Sequence, residues 1–287
     1  MAVTPNFESF HKEYEAERNQ VVFSKLTSDL ETPVSIMLKL GEAKTNSFIL
    51  ESVTGGETRG RYSIIGMEPD LIWKCDGDRS FLSSGGEEFI YIEGEPLTVF
   101  RNILKKSKIK LPEDLPQASA GLFGYFGYDM VRHVENLPNI NPDKINLPDA
   151  MFIRPSIIAV LDGVKGEVIL VSPVFYDTKT SSKEAFKKAQ NKIVTATREL
   201  KRQIIKNRNL GKSGKVGKPH SNFTKGDYKS AVKKAKSYIK QGDIFQVVPS
   251  QRWTQKFSYS PFSLYRSLRR TNPSPFMFFF NFGNFQI

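Results

Sequence analysis

The feature that most constrains the fold is a series of short apolar runs, each followed by a turn, in the first third of the chain. The runs are rich in β-branched and aromatic side chains, which is typical of strands. Glycine-rich turns such as Thr54-Gly55-Gly56-Glu57 separate them. The predicted strands are Ser47–Ser52, Tyr62–Gly66, Leu71–Trp73, Phe81–Leu82 and Phe89–Ile92. The pattern predicts an antiparallel meander.

Further strands are predicted in the middle of the chain. Ile157–Leu161 and Glu167–Val171 flank the turn residues Asp162–Gly166, which indicates a hairpin. In Gly121–Gly127, glycine and aromatic residues are interspersed, but the spacing is not that of a dinucleotide-binding loop and no strand-turn-helix unit surrounds it. We therefore predict a strand packed closely against another backbone.

Helical patterns alternate with these strands. A long helix is predicted from the apolar spacing of Phe186 to Ile204, ending before Asn207, and another from Thr224 to Gly242. Shorter helices are predicted at Phe7–Asn19, behind Pro96 and at Pro261–Arg270, with a strand at Ile244–Val248 and a hairpin at Phe276–Ile287 that turns at Gly283-Asn284. Together these elements predict an α+β protein of packed antiparallel β-sheets flanked by helices.

Composition narrows the class of protein. The single cysteine, Cys75, excludes an internal disulfide framework and fits a reducing compartment. Met1–Pro5 lacks the basic and apolar regions of a secretory signal, and no apolar run is long enough to span a membrane. We expect a soluble, cytoplasmic protein without a membrane partner.

The net charge of +12 is concentrated in one part of the chain. The basic window, Lys183 to Lys240, holds eighteen Lys and Arg against three acids, a net +15. Because it consists of two amphipathic helices and a Lys/Gly linker, without interleaved aromatics or a groove-reading motif, a solvated face is favoured over a nucleic-acid site. No nucleic-acid partner is expected.

The segment Asn272-Pro273-Ser274-Pro275 leads into the aromatic run Phe276–Phe280. Both prolines fix their own φ and push the preceding residue towards extended geometry, so the chain approaches a strand through a stiff kink. Backbone carbonyls at such a kink can receive an ammonium group, and the neighbouring aromatic and thioether side chains suit an apolar ring. The alternative is an ordinary core strand.

Several separate segments together resemble the chorismate-utilising enzymes, and most closely the large subunits (component I) of anthranilate synthases. They cover nearly the whole chain and occur in the family's order. The segments are Phe48–Ser52, Gly60–Gly66, Gly121–Asp129, Leu147–Asp149 with Arg154-Pro155, Gly226–Lys229, Tyr238–Arg252, Leu264–Arg266, Arg269–Thr271 and Asn272–Pro275. The resemblance implies an amino-terminal domain at 1–205 and the start of the chorismate-binding catalytic domain at 223–287. Residues 206–222 between them are rich in Lys and Gly and lack apolar periodicity, which predicts a basic linker.

The resemblance also implies a chemistry. Anthranilate synthases are lyases that join ammonia to chorismate and release pyruvate, in the first committed step of tryptophan synthesis. A glutamine amidotransferase subunit (component II) supplies the ammonia, and Mg²⁺ held by carboxylates neutralises a substrate carboxylate. In the family, the metal ligands and the catalytic residues lie beyond the position that matches Ile287. No catalytic or metal-binding residue is therefore assigned within this chain, which is expected to be an inactive amino-terminal fragment.

The histidines do not change this expectation. His11, His133 and His220 are predicted to lack carboxylate partners and ligand spacing. No Ser/His/Asp or Cys/His arrangement is predicted either.

A regulatory site is the function that the resemblance assigns to residues within the chain. Family members bind tryptophan as a feedback inhibitor through the serine of a Leu-Glu-Ser segment and through a Pro-aromatic-Met segment. These match Ser52 and Pro275, Phe276 and Met277, and Glu51 could accept from the ligand ammonium. Phe276 stands where the family commonly has tyrosine, so a contact from that hydroxyl is absent.

Two alternatives remain at this point. An aminodeoxychorismate synthase component I, of the folate pathway, would share the fold and substrate. A non-catalytic binding protein would use the basic window to engage nucleic acid or acidic partners, with an affinity that falls steeply with salt.

Overall fold

Two long antiparallel strands form the centre of the protein. The computed structural model describes residues 2–52, 60–138, 142–204 and 217–287. Strand β3, Tyr62–Asp76, pairs with β7, Ala150–Asp162, over most of their length. The register shifts between Pro69 and Leu71, and the neighbouring Glu68 has a φ of 51°. This irregularity bends β3 without ending it.

The described residues form a nine-stranded antiparallel sheet and a separate two-stranded one. The order of the large sheet is β1-β8-β7-β3-β2-β11, with β4 and β6 pairing with β3 and β7 respectively, and β5 with β4. β9 and β10 form the small sheet. The remaining strands are β1 Gln20–Thr27, β2 Ser47–Ser52, β4 Arg79–Ser84, β5 Ile90–Ile92, β6 Phe123–Phe126, β8 Glu167–Val174, β9 His220–Ser221, β10 Trp253–Thr254 and β11 Phe276–Asn281.

Helices in the first 200 residues pack on the large sheet. The described helices are α1 Phe7–Glu15, α2 Pro33–Leu40, α3 Pro96–Lys106, α4 Ser182–Leu200, α5 Lys225–Gln241 and α6 Pro261–Thr271. α4 buries Ala189, Ile193 and Ala196, and packs on β8 and α1. The fold is therefore the predicted α+β class, with a sheet covered by amphipathic helices.

Most of the strand and helix predictions are confirmed. Ser47–Ser52 is a strand with the predicted bounds, and the hairpin at Asp162–Gly166 joins β7 to β8. Thr224 caps α5 by accepting from the Asp227 N–H, and Gly242 ends that helix with a φ of 82°. The predicted strands at 62–66 and 71–73 are parts of the single strand β3, and β1 and α2 were not predicted.

One predicted strand is absent from the described residues, and the ends of two predicted helices are wrong. Ile244–Val248 is not a strand, because no described strand pairs with it and Phe245 is 94% exposed. The first helix ends at Glu15 rather than Asn19, since Glu17 has a φ of 57°. The long helix ends at Leu200, so Ile204 lies outside it. Each boundary depends on contacts that periodicity does not report.

The chain divides into two compact units. One comprises Met1–Ile205 and Tyr265–Ile287, and the other Lys206–Leu264. The predicted linker 206–222 lies outside the described residues as far as residue 216, and His220–Ser221 forms β9. The domain assignment 1–205, 206–222 and 223–287 stays a prediction, although β11 belongs to the first unit.

A helix that spans a membrane needs about 20 consecutive, mainly apolar residues. No helix in the described part of the chain combines the length and apolar character needed to cross a membrane.

Candidate functional site

Pairing between β2 and β11 brings the two predicted ligand-binding segments together. Ser52 lies opposite Phe276, and Glu51 lies opposite Met277, although the segments are more than 200 residues apart in the sequence. The Ser52 hydroxyl donates a hydrogen bond to the Pro275 carbonyl oxygen at 3.2 Å. The end of β2 is therefore joined directly to the proline kink that precedes β11.

The sheet separates the predicted residues onto two faces. Side chains alternate along a strand, and residues directly opposite each other on paired strands share a face. Ser52 and Phe276 therefore share a face with Leu50, while Glu51 and Met277 lie on the opposite face. Pro275 contributes its main-chain carbonyl, which lies at the edge of the sheet between these two faces. Whether these residues bind tryptophan stays a prediction.

An apolar groove of about 530 Å³ lies on the Ser52 face. Leu50 lines it and is two residues from Ser52 on the same strand, a separation of about 7 Å. Two of its lining rings, Phe123 and Phe280, stack on the buried ring of Phe48 at centroid distances of 4.6 and 5.3 Å. The groove is lined by Leu50, Leu122, Phe123, Gly124, Tyr125, Phe126, Phe152, Phe278, Phe280 and Ile287. Its size and lining suit an aromatic ring.

Glu51, on the opposite face, is bonded within the protein. Its side chain is 2% exposed. The Arg269 guanidinium donates to both carboxylate oxygens, from Nε at 2.7 Å and Nη2 at 2.6 Å, and the Tyr265 hydroxyl donates at 2.9 Å. This bidentate arrangement is the strongest form of Arg–carboxylate pairing.

The pKa values of the two donors are shifted in the direction that keeps them protonated. The hydrogen bond to Glu51 raises the pKa of Arg269. Burial, and then the negative charge of Glu51, raises the pKa of Tyr265. Both groups therefore remain donors to Glu51 throughout the neutral pH range.

Tyr265 and Arg269, the partners of Glu51, were not among the predicted site residues. They are four residues apart on α6 and so lie on one helix face. A signal was present, because an acid inside an otherwise apolar strand needs a cationic partner when it is buried. That signal does not show which of the chain's 42 Lys and Arg residues supplies the partner.

The histidines differ from their prediction. His11 Nδ1 lies 3.5 Å from Glu15, and His133 Nδ1 lies 3.8 Å from Glu95, so the expected lack of carboxylate neighbours is wrong for both. Tertiary packing also brings His133 Nε2 within 3.8 Å of the Cys75 sulfur. Burial, and then nearby carboxylates such as Asp149, raises the pKa of Cys75 to about 12. Cys75 is therefore a thiol at neutral pH, not an activated nucleophile.

No cluster in the described residues fits a metal ion. A group of three or more His, Cys, Asp and Glu side chains with suitable geometry is absent from those ranges. The expected ligands of Mg²⁺ remain a prediction.

Comparisons of the sequence with known proteins all point to one family. The family model described as chorismate binding enzyme matches residues 45–287. Anthranilate synthase component 1 of Cereibacter sphaeroides is 55% identical over 286 residues, which cover 98% of this chain and 57% of that protein. The Pseudomonas putida protein of the same name is 38% identical, over 91% of this chain and 53% of its own length. The chain thus spans about half the length of these relatives.

Solved structures agree with the sequence matches. Anthranilate synthase component I from Streptococcus pneumoniae aligns with a TM-score of 0.63 and 27% identity, over 79% of this chain and 49% of that one. The menaquinone-specific isochorismate synthase from Escherichia coli aligns with a TM-score of 0.54 and 12% identity, over 97% and 52%, and so supports the fold alone. Since the family model matches most of the chain, the chain belongs to the chorismate-binding enzymes.

Proposed function

We propose that this chain is part of the large subunit of an anthranilate synthase. The enzyme is a cytoplasmic lyase that converts chorismate and ammonia to anthranilate and pyruvate, the first committed step of tryptophan synthesis. A glutamine amidotransferase subunit supplies the ammonia. Similarity to proteins named anthranilate synthase component 1, over nearly the whole chain, supports the proposal.

The function assigned to the described residues is binding of tryptophan as a feedback inhibitor. The observation that carries it is the contact between Ser52 and the Pro275 carbonyl. The apolar groove lies on the Ser52 face of the same sheet, although neither Ser52 nor Pro275 lines it. A carbonyl oxygen has two lone pairs, so Pro275 can accept from a ligand ammonium while it accepts from Ser52. The indole ring would then lie in the groove against Leu50 and Phe278. Such a ligand would bridge β2 and β11, and its effect on a distant active site would have a typical coupling free energy of about 1–3 kcal/mol.

Tryptophan binding is tested by calorimetric titration of the 287-residue chain. We expect saturable binding of L-tryptophan at one site, and weaker binding of L-phenylalanine, which lacks the second ring. Ser52→Ala should weaken L-tryptophan binding about fivefold, the equivalent of one hydrogen bond. Ser84→Ala, at the exposed end of β4, is the matched control and should leave the affinity unchanged. An unaltered affinity in Ser52→Ala would contradict the assignment.

Titrations at two salt concentrations separate this site from the basic window. Tryptophan binding in an apolar groove should change little with salt. Binding of nucleic acid to the lysines of residues 183–240, measured by gel-shift titration, would fall steeply as salt rises, through counterion release. Salt-sensitive binding of nucleic acid, together with no binding of tryptophan, would count against the groove.

The catalytic part of the proposal is tested by complementation. The chain replaces the matching residues of the Cereibacter sphaeroides relative, and this chimera is introduced into a bacterium that lacks its own anthranilate synthase large subunit. Growth without tryptophan supports the proposal. Failure of the chimera to restore growth, when the unaltered relative restores it, contradicts the proposal.

A further inference from the structure

The last residues of β2 are held to the chain around α6 and β11 by two separate connections. On one face, Ser52 donates to the Pro275 carbonyl. On the other, the Glu51 carboxylate accepts three hydrogen bonds from Arg269 and Tyr265. Only a few residues separate Arg269 from Pro275 in the sequence. The position of the proline kink relative to Ser52 therefore depends on where Glu51 holds α6.

The environment of Glu51 argues against direct contact with a ligand. Its side chain is 2% exposed, and both carboxylate oxygens are already bonded to a cation. Strand alternation also directs it away from the face that carries Ser52 and the groove. An ammonium group at the Pro275 carbonyl would lie at the edge of the sheet, while the carboxylate is directed to the face opposite Ser52.

Loss of the ion pair between Glu51 and Arg269 should displace the proline kink, because the Glu51 carboxylate is almost inaccessible to water. An Arg269 variant without charge leaves the Glu51 carboxylate buried without its cationic partner, although the Tyr265 hydroxyl still donates to it. Opening the contact between β2 and α6 would admit water to the carboxylate and relieve part of that penalty. That movement would shift Pro275 away from Ser52.

We propose that Glu51, Arg269 and Tyr265 form a positioning clamp for the regulatory site. In this role Glu51 acts through Arg269 and does not accept from the ligand ammonium. The inference rests on the proposed tryptophan site, and it identifies Arg269 and Tyr265 as positioning residues for it. It also revises the ammonium contact that the sequence suggested for Glu51.

Substitutions on the two sides of the ion pair distinguish positioning from direct contact, because Glu51→Gln removes the carboxylate and Arg269→Gln removes only its partner. We expect Glu51→Gln and Arg269→Gln each to weaken L-tryptophan by the same factor, about tenfold or more. Indole-3-propionate lacks the ammonium group that the Pro275 carbonyl would accept from, so both variants should weaken it less. Tyr265→Phe should have a smaller effect in the same direction. Arg266→Gln, an exposed arginine on the same helix, is the control and should bind like the parent chain.

Direct contact between Glu51 and the ligand ammonium predicts a different result. If Glu51 accepts from the ammonium, Glu51→Gln will weaken L-tryptophan and also tryptamine, which keeps the ammonium group. Arg269→Gln will then leave L-tryptophan affinity near that of the parent chain. An unchanged affinity in Arg269→Gln, with weakened binding in Glu51→Gln, overturns the clamp.

A measurement without ligand keeps the clamp testable on its own. Amide hydrogen exchange of residues 276–281 should speed up in Arg269→Gln and in Glu51→Gln, and should match the parent in Arg266→Gln. Unchanged exchange in both variants would overturn the clamp even if tryptophan binds. If the parent chain binds no tryptophan but the exchange does speed up, the clamp is supported as structure and the proposed regulatory function fails.

Discussion

Asp162 and Glu51 are acidic residues that the fold buries almost completely, and each is held by an arginine. The Asp162 side chain is 3% exposed and Arg61 forms a bidentate pair with it, with distances from 2.7 to 3.1 Å. Two backbone N–H groups of the β7–β8 turn, from Val164 and Lys165, also donate to Asp162. A single carboxylate thus holds the hairpin turn and the start of β3 together.

The stability that Asp162 provides should depend on pH. Burial alone would raise the pKa of Asp162, but the hydrogen bonds from Arg61 and the turn outweigh it and lower that pKa. A carboxyl group with a lowered folded-state pKa stabilises the protein above its unfolded pKa of about 3.9. The stabilisation is lost as pH falls below that value and through the folded-state pKa.

Asp162→Asn tests this residue. We expect the free energy of unfolding at pH 7 to fall by about 2 kcal/mol, since the fork of Arg61 loses its charged acceptor. The loss of stability between pH 5 and pH 3, measured by urea unfolding, should also become shallower. Asp76→Asn removes an exposed pair with Arg79 and should change stability by less than about 1 kcal/mol. An unchanged pH profile in Asp162→Asn would show that another group dominates acid unfolding.

At the scale of elements, β6 and β7 approach more closely than a side chain permits. A Cβ at Gly124 would lie 2.0 Å from the Met151 carbonyl oxygen and 2.7 Å from the Phe152 Cα. Both neighbours are backbone atoms of β7, so neither can move without breaking the sheet. The glycine-aromatic pattern predicted this close packing, and the structure confirms it. The aromatic side chains of β6 are thereby placed in the wall of the groove.

Gly124→Ala should therefore destabilise the first unit by about 3 kcal/mol or more, through overpacking against fixed backbone. Gly163→Ala is the control, because its Cβ would lie 3.5 Å from the nearest atom and its φ is not positive. The control should stay within about 0.5 kcal/mol of the parent. Urea unfolding followed by tryptophan fluorescence measures both. Equal stability of the two variants would mean that β6 does not pack on β7 as described.

At the scale of the whole molecule, the two compact units differ in how much they bury. In the unit Lys206–Leu264, α5 contains no buried residue, and Val248 and Trp253 are 79% and 58% exposed. In the other unit, β7 and β8 are buried along almost their whole length. Local stability follows apolar burial, so the units should open with different free energies.

Hydrogen exchange tests this difference directly. We expect amides in α5 to exchange at least about tenfold faster than those in β7 and β8, because α5 opens without disrupting a core. Thermal unfolding should then show more than one transition. Equal protection in α5 and β7, with a single transition, would show that the chain unfolds as one cooperative unit.

The sequence alone determined those features of this protein that depend on residues close together in the chain. Apolar runs and turn residues located most strands, Thr224 and Gly242 bounded α5, and the prolines before Phe276 marked the approach to β11. Family resemblance paired Ser52 with Pro275. These signals are local because they depend on φ restriction, capping and side-chain alternation.

Only the tertiary structure decided which residues face one another. Ser52 and Glu51 are adjacent in the sequence, yet strand geometry places one beside the groove and the other against Arg269. Register between segments more than 200 residues apart, and the choice of Arg269 as the partner of Glu51, follow from the burial of many side chains at once. Pattern in a short window contains no information about such distant pairings, so the clamp could not be found before the fold was known.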